Sequence, residues 1–141
     1  MKPLHSAEII AVGSELLTAH RIDTNSLFLT GRLADLGIDV RAKAVVGDRR
    51  GDLAAIVRAA LSRADLVITT GGLGPTDDDL TRDVVAEVLE RPLREDPAIL
   101  DVIQARFIRR NLRMPAINRR QAMVPDQRII ELLWQRLQIG P

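Results

Sequence analysis

The chain has 141 residues, 46% of them hydrophobic and only 2% aromatic, which suits a single domain with a core of Leu, Ile, Val and Ala. A net charge of +1 gives no general attraction to nucleic acid, and the lack of cysteine removes disulfides, thiolate nucleophiles and Cys-based zinc sites, as suits a reducing cytosol. No apolar run reaches membrane-spanning length and residues 1–6 lack the apolar core of a signal peptide, so a cytoplasmic protein with no membrane partner is expected.

Ala7 to Val12 reads as a buried strand ending at Gly13. After a loop through Ile22, Asp23 or Thr24 caps a helix carrying Leu29, Leu33 and Leu36, with Gly37 at its C-terminal stop. Val40 to Val46 is a second strand, and residues 47–51 form a polar turn. Leu53, Ile56, Val57, Ala60 and Leu61 follow the spacing of an amphipathic helix. Leu66 to Thr70 is a third strand, and Val84, Val85, Val88 and Leu89 mark a third helix. Asp96-Pro97 starts a fourth, carried by Ile99, Leu100, Ile103 and Phe107 to about Arg110. Met114 to Pro125 has turn signals, and Ile129 to Leu137, with Trp134, has a helical pattern.

Strands and helices alternating through short connections predict a parallel α/β sheet with right-handed crossovers. Ligands bind such sheets outside the carboxyl ends of the strands. Three loops belong on that rim: Gly13-Ser14-Glu15, Gly47-Asp48, and the stretch from Thr69 to Thr81. In the last, Gly71, Gly72 and Gly74 let the backbone turn sharply, and the N–H groups of such a turn before a helix can cradle an anion. Asp77, Asp78 and Asp79 follow at once. Three carboxylates would repel a phosphate unless a cation lay between, so the stretch reads as a site for a phosphorylated ligand bridged by a hard divalent metal such as Mg²⁺. Capping is the competing explanation for aspartates ahead of a helix. Thr81, however, is the expected N-cap, with Asp83 in the first turn, which leaves the acidic run outside the cap. No Lys-Ser or Lys-Thr pair follows the glycines, which excludes a P-loop, and the third glycine of the dinucleotide fingerprint is missing. His5 and His20 are isolated and are expected at the surface. The basic segment from Arg106 to Arg128 lacks interleaved aromatics, so it is expected to be a solvated face rather than a nucleic-acid site.

Gly13-Ser14-Glu15-Leu16-Leu17, Thr24-Asn25, Val46-Gly47-Asp48, the stretch from Gly71 to Thr81, Asn118-Arg119 and Gln121-Ala122 resemble the N-terminal domain of the CinA (competence/damage-inducible) family, which is similar to the MoaB/Mog molybdopterin-binding proteins. The resemblance implies a three-layer α/β/α sandwich with a mostly parallel central sheet over residues 1–125, C-terminally truncated relative to the family, and an atypical helical tail over residues 126–141. Ala19 stands where the family usually has glycine. The resemblance implies a metal-dependent pyrophosphatase acting on ADP-ribose or a related nucleotide-like diphosphate. Asp48 and Asp79 would be catalytic, and Asp48, Asp78 and Asp79 would hold the metal. Gly13, Ser14, Glu15, Asn25, Gly71, Gly72, Gly74 and Thr76 would bind the ligand and its phosphates. With no His, Cys or Lys nucleophile on the rim, metal-activated water is expected rather than covalent catalysis. Molybdopterin binding or adenylylation is the alternative within the fold, and a non-catalytic interaction module the alternative outside it. The apolar face of the tail, Ile129, Ile130, Leu133, Trp134 and Leu137, gives the further expectation of a homodimer.

Overall fold

The computed structural model of the chain describes residues 3–126; the expected tail helix and the dimer contact assigned to it lie outside these residues. Strand β1 (Ser6–Val12) is buried along its whole length because it is the middle of a parallel sheet ordered β2–β1–β3, with β2 at Asp39–Val46 and β3 at Leu66–Thr70. Both faces of β1 are covered, and its side chains divide between two cores. Ile9 and Ala7 pack with Leu33 of α1 (Thr24–Asp35) and with Leu66. Ile10 and Val12 pack with Leu53, Val57 and Ala60 of α2 (Arg50–Leu61) and with Val84 of α3 (Thr81–Val88). Helix, sheet and helices form the three layers that the resemblance implied.

Local chemistry sets the boundaries. The Asp23 carboxylate accepts from Ser26 N at 3.0 Å and starts α1. Asp96 likewise accepts from Ile99 N at 3.0 Å, with Pro97 opening α4 (Pro97–Arg109). Two strands have no counterpart in the sequence reading. Leu93–Glu95 (β4) and Met123–Pro125 (β5) form an antiparallel pair, and residues 116–122 form a 3-10 turn. Together with α4 they make a small layer around Leu100, Ile103 and Ala122, placed beside α3.

The amino edge of the sheet is fastened by polar side chains. Glu8, almost fully buried in β1, accepts a forked pair of bonds from Arg63, with Nη2–Oε2 at 3.0 Å. Asp65 accepts from Ser6 N at 3.1 Å and from Ser6 Oγ at 2.9 Å. These groups are satisfied by partners within the domain. No helix among the described residues is long and apolar enough to cross a membrane.

Candidate functional site

The three rim loops meet over the carboxyl end of β1. Gly13 is buried and donates its N–H to the Val46 carbonyl at 2.9 Å, which joins the first loop to β2. Ser14 and Asp48 then lock to each other: Ser14 N donates to Asp48 Oδ2 at 2.9 Å, and Asp48 N donates to Ser14 Oγ at 3.0 Å. On the other side of β1, Gly71 (φ +82°) carries the third loop so close to Val12 that any Cβ would overlap the Val12 carbonyl oxygen. Gly72 (φ +60°) faces the Thr81 hydroxyl just as tightly. The glycines are therefore required for the loop to cross the end of the central strand, before any ligand is considered.

The expected cap of α3 is corrected here. Leu80 occupies the N-cap position without a side-chain bond, and Thr81 is the first helical residue. Thr81 is buried, and its hydroxyl donates to the Gly71 carbonyl at 2.8 Å instead of turning back onto the helix. The hydroxyl ties loop to helix, because the Gly71 carbonyl would otherwise lie unpaired beside the core.

The expected anion cradle has an occupant from the chain itself. Asp79 Oδ2 accepts from Thr76 N at 3.0 Å and from Thr76 Oγ1 at 2.6 Å. Burial works against its ionisation, but the Thr76 hydroxyl, the Thr76 and Gly74 backbone and the nearby Arg82 outweigh it and hold the carboxyl below the usual carboxylate range. Asp77 is wholly exposed at its side chain and pairs with Arg120 Nη1 at 2.8 Å. Asp78 is exposed. Glu15 is exposed in the 3-10 turn Ser14–Leu17, its carboxylate folded back over Gly13. Asn25 is exposed in the first turn of α1, on a different element from the three loops. The structure thus joins Gly13, Ser14 and Asp48 in one cluster and Gly74, Thr76 and Asp79 in another, with Val12 between them at Gly71.

Two arginines belong to this site and were not singled out from the sequence. Arg82 is buried; its guanidinium donates to the Leu73 carbonyl and, at 2.6 Å, to the Gly74 carbonyl. A cation in the first turn of a helix opposes the helix dipole, and that conflict was the readable signal for it. Arg120 reaches the loop from the 3-10 turn, touching the Pro75 carbonyl at 3.3 Å. Among the described residues, no three His, Cys, Asp or Glu side chains gather closely enough to hold a metal ion.

Comparison with known proteins agrees with this architecture. Residues 8–132 match the family model described as a probable molybdopterin binding domain. A CinA-like protein of Koribacter versatilis is 50% identical over 118 residues, which are 84% of this chain and 28% of that protein. A CinA-like protein of Gloeobacter violaceus is 46% identical over 121 residues, 86% of this chain and again 28% of the relative. The chain therefore spans less than a third of the length of these relatives. Among solved structures, the protein CinA of Thermoplasma acidophilum superposes with a TM-score of 0.74 at 32% identity, over 86% of this chain and 71% of that one. The molybdopterin biosynthesis enzyme MoaB of Thermus thermophilus shares the fold, with a TM-score of 0.62 at 23% identity over 88% and 76% of the two chains. On a family match that takes in the sheet, all three rim loops and the arginine-bearing turn, the chain belongs to the molybdopterin-binding-like domain family, in its CinA-type branch.

Proposed function

We propose that this domain binds a small phosphorylated ligand of the molybdopterin class at the carboxyl rim of the β2–β1–β3 sheet. The observation that carries this reading is the pair of anchored carboxylates. Asp48 and Asp79 are each held through Oδ2 by a backbone N–H of a rim loop. Charged side chains fixed in this way are oriented before a ligand arrives, so little ordering entropy is lost on binding. Family membership supports the pterin class of ligand.

A divalent metal fits this rim only in company with its ligand. With no three-carboxylate cluster among the described residues, an ion would take Asp48 or Asp79, with Asp78 exposed nearby in sequence, and complete its shell from ligand phosphate and water. That is the ordinary habit of Mg²⁺. Bound there, the metal would neutralise phosphate charge and activate water. A second reading on the same residues is metal-dependent hydrolysis of ADP-ribose, in which Asp48 and Asp79 would orient the attacking water.

Calorimetric titration with molybdopterin and with ADP-ribose, each with Mg²⁺ and with chelator, separates the two. Saturable molybdopterin binding is expected, and Asp48→Asn and Asp79→Asn should each weaken it by about tenfold or more, since each removes charge while keeping shape. Wild-type affinity in both variants would return the two aspartates to a purely structural role. ADP-ribose turnover that stops in chelator, without pterin binding, would establish the second reading in place of the first.

A further inference from the structure

We infer that Arg120 is a positioning residue for the ligand loop: from a neighbouring layer of the domain, it holds the Pro75 carbonyl and Asp77, and so keeps the Thr76 N–H turned onto Asp79.

The chain of contacts is short. A trans peptide is planar, and its C=O and N–H point in opposite directions. The Pro75 carbonyl is drawn toward Arg120 Nη1 at 3.3 Å. The N–H of the same peptide unit, that of Thr76, therefore points away from Arg120, and it meets Asp79 Oδ2 at 3.0 Å. Arg82 acts in the same way two units earlier, drawing the Leu73 carbonyl and turning the Gly74 N–H the other way, and it also holds the Gly74 carbonyl of the unit between. Two guanidinium groups thus set successive peptide orientations in a loop with no regular structure of its own.

Arg120 differs from Arg82 in where it comes from. Arg82 lies in α3, immediately after the loop. Arg120 lies 45 residues beyond Pro75, in the 3-10 turn packed against α4. It also sits 3.9 Å from Asp83 in the first turn of α3. One side chain therefore spans the loop and the helix that follows it. The Asp77 contact, fully exposed, is worth little as an isolated ion pair. A rigid planar guanidinium fixes the direction of its Nη1 donors toward the Pro75 carbonyl and Asp77, whereas the rotating ammonium of a lysine on a flexible stem holds such a pair less firmly. Arg119, next in sequence, faces elsewhere: its fork is closed on Glu95 of β4 at 2.9 and 2.7 Å. The small layer containing α4, β4 and β5 thereby acquires a role at a rim that it does not itself line.

Amide hydrogen exchange on the ligand-free chain tests the positioning claim directly. Arg120→Ala should speed exchange across residues 71–80 by about tenfold or more while leaving β1 and β2 at wild-type rates. Arg120→Lys should fall between the two, and Arg119→Ala should leave the loop unchanged. If Arg120→Ala fails to fold, the lysine variant decides. Wild-type loop exchange in a folded Arg120 variant overturns the inference, and so does loosening of equal size in Arg119→Ala. The consequence for binding rests on the proposed function: Arg120→Ala should weaken titration by molybdopterin, or by ADP-ribose, by about tenfold, with Arg119→Ala near wild type. A faster-exchanging loop with unchanged affinity would also overturn it. If the wild-type chain binds neither probe, the proposed function fails, while the exchange result still decides what Arg120 does.

Discussion

Gly71 shows how one missing side chain shapes the rim. Its φ of +82° and its position against the Val12 carbonyl leave no room for a Cβ. Gly71→Ala should cost roughly 1–3 kcal/mol from the backbone conformation alone, with more from the overlap, and would be read as a lower urea midpoint. Asp79 is the second case. Its folded pKa lies below its unfolded one, so the stability it contributes is present above the unfolded value and lost as pH falls through the folded value. Thr76→Val removes the hydroxyl bond and keeps the backbone one. The Asp79 carboxyl should then titrate closer to the ordinary carboxylate range in a carbon-detected NMR titration; an unchanged midpoint would mean that the hydroxyl contributes nothing. At this scale the sequence announced the residue types and their neighbourhood but not their partners. Three glycines before three aspartates suggested a phosphate cradle, yet the cradle holds a carboxylate of the same loop, because Asp79 lies only three residues beyond Thr76. Arg120 could not be tied to this loop from sequence, since nothing local links positions so far apart.

Helices and strands were legible wherever their signals were local or periodic. Asp96-Pro97 specified both a cap and a first helical residue, and α4 begins there. Asp96→Ala should cost about 1 kcal/mol in denaturant unfolding, a typical value for a lost side-chain cap. A midpoint equal to wild type would show that Pro97 alone fixes the start. Thr81 had equal credentials as a cap and is not one: it is already the first helical residue, and its hydroxyl donates across the loop to the Gly71 carbonyl. The strands β4 and β5 were not foreseen. Each has three residues, too few to show alternation, and their pairing brings Leu93 to Pro125 across more than thirty residues of chain.

For the molecule as a whole, the order of strands has a kinetic meaning. The central strand β1 is the first in sequence, and both edge strands must find it: Ser6 pairs with Asp39, and Ala7 with Leu66. Nearly doubling the loop to be closed adds only about 0.5 kcal/mol of entropy, so chain length barely separates the two docking events. The extent of pairing does. β2 matches β1 from Ser6 to Val12, whereas β3 matches it only from Ala7 to Ala11. The β1–β2 pair is thus the better nucleus, and the glycine loop, carried by β3, should be among the last parts to settle. Truncations such as Val46→Ala should chiefly slow refolding, while Leu66→Ala should chiefly speed unfolding, a split that chevron analysis resolves. A domain built in this order would complete its scaffold first and its rim loops afterwards, so the glycine loop would be able to open without dismantling the rest.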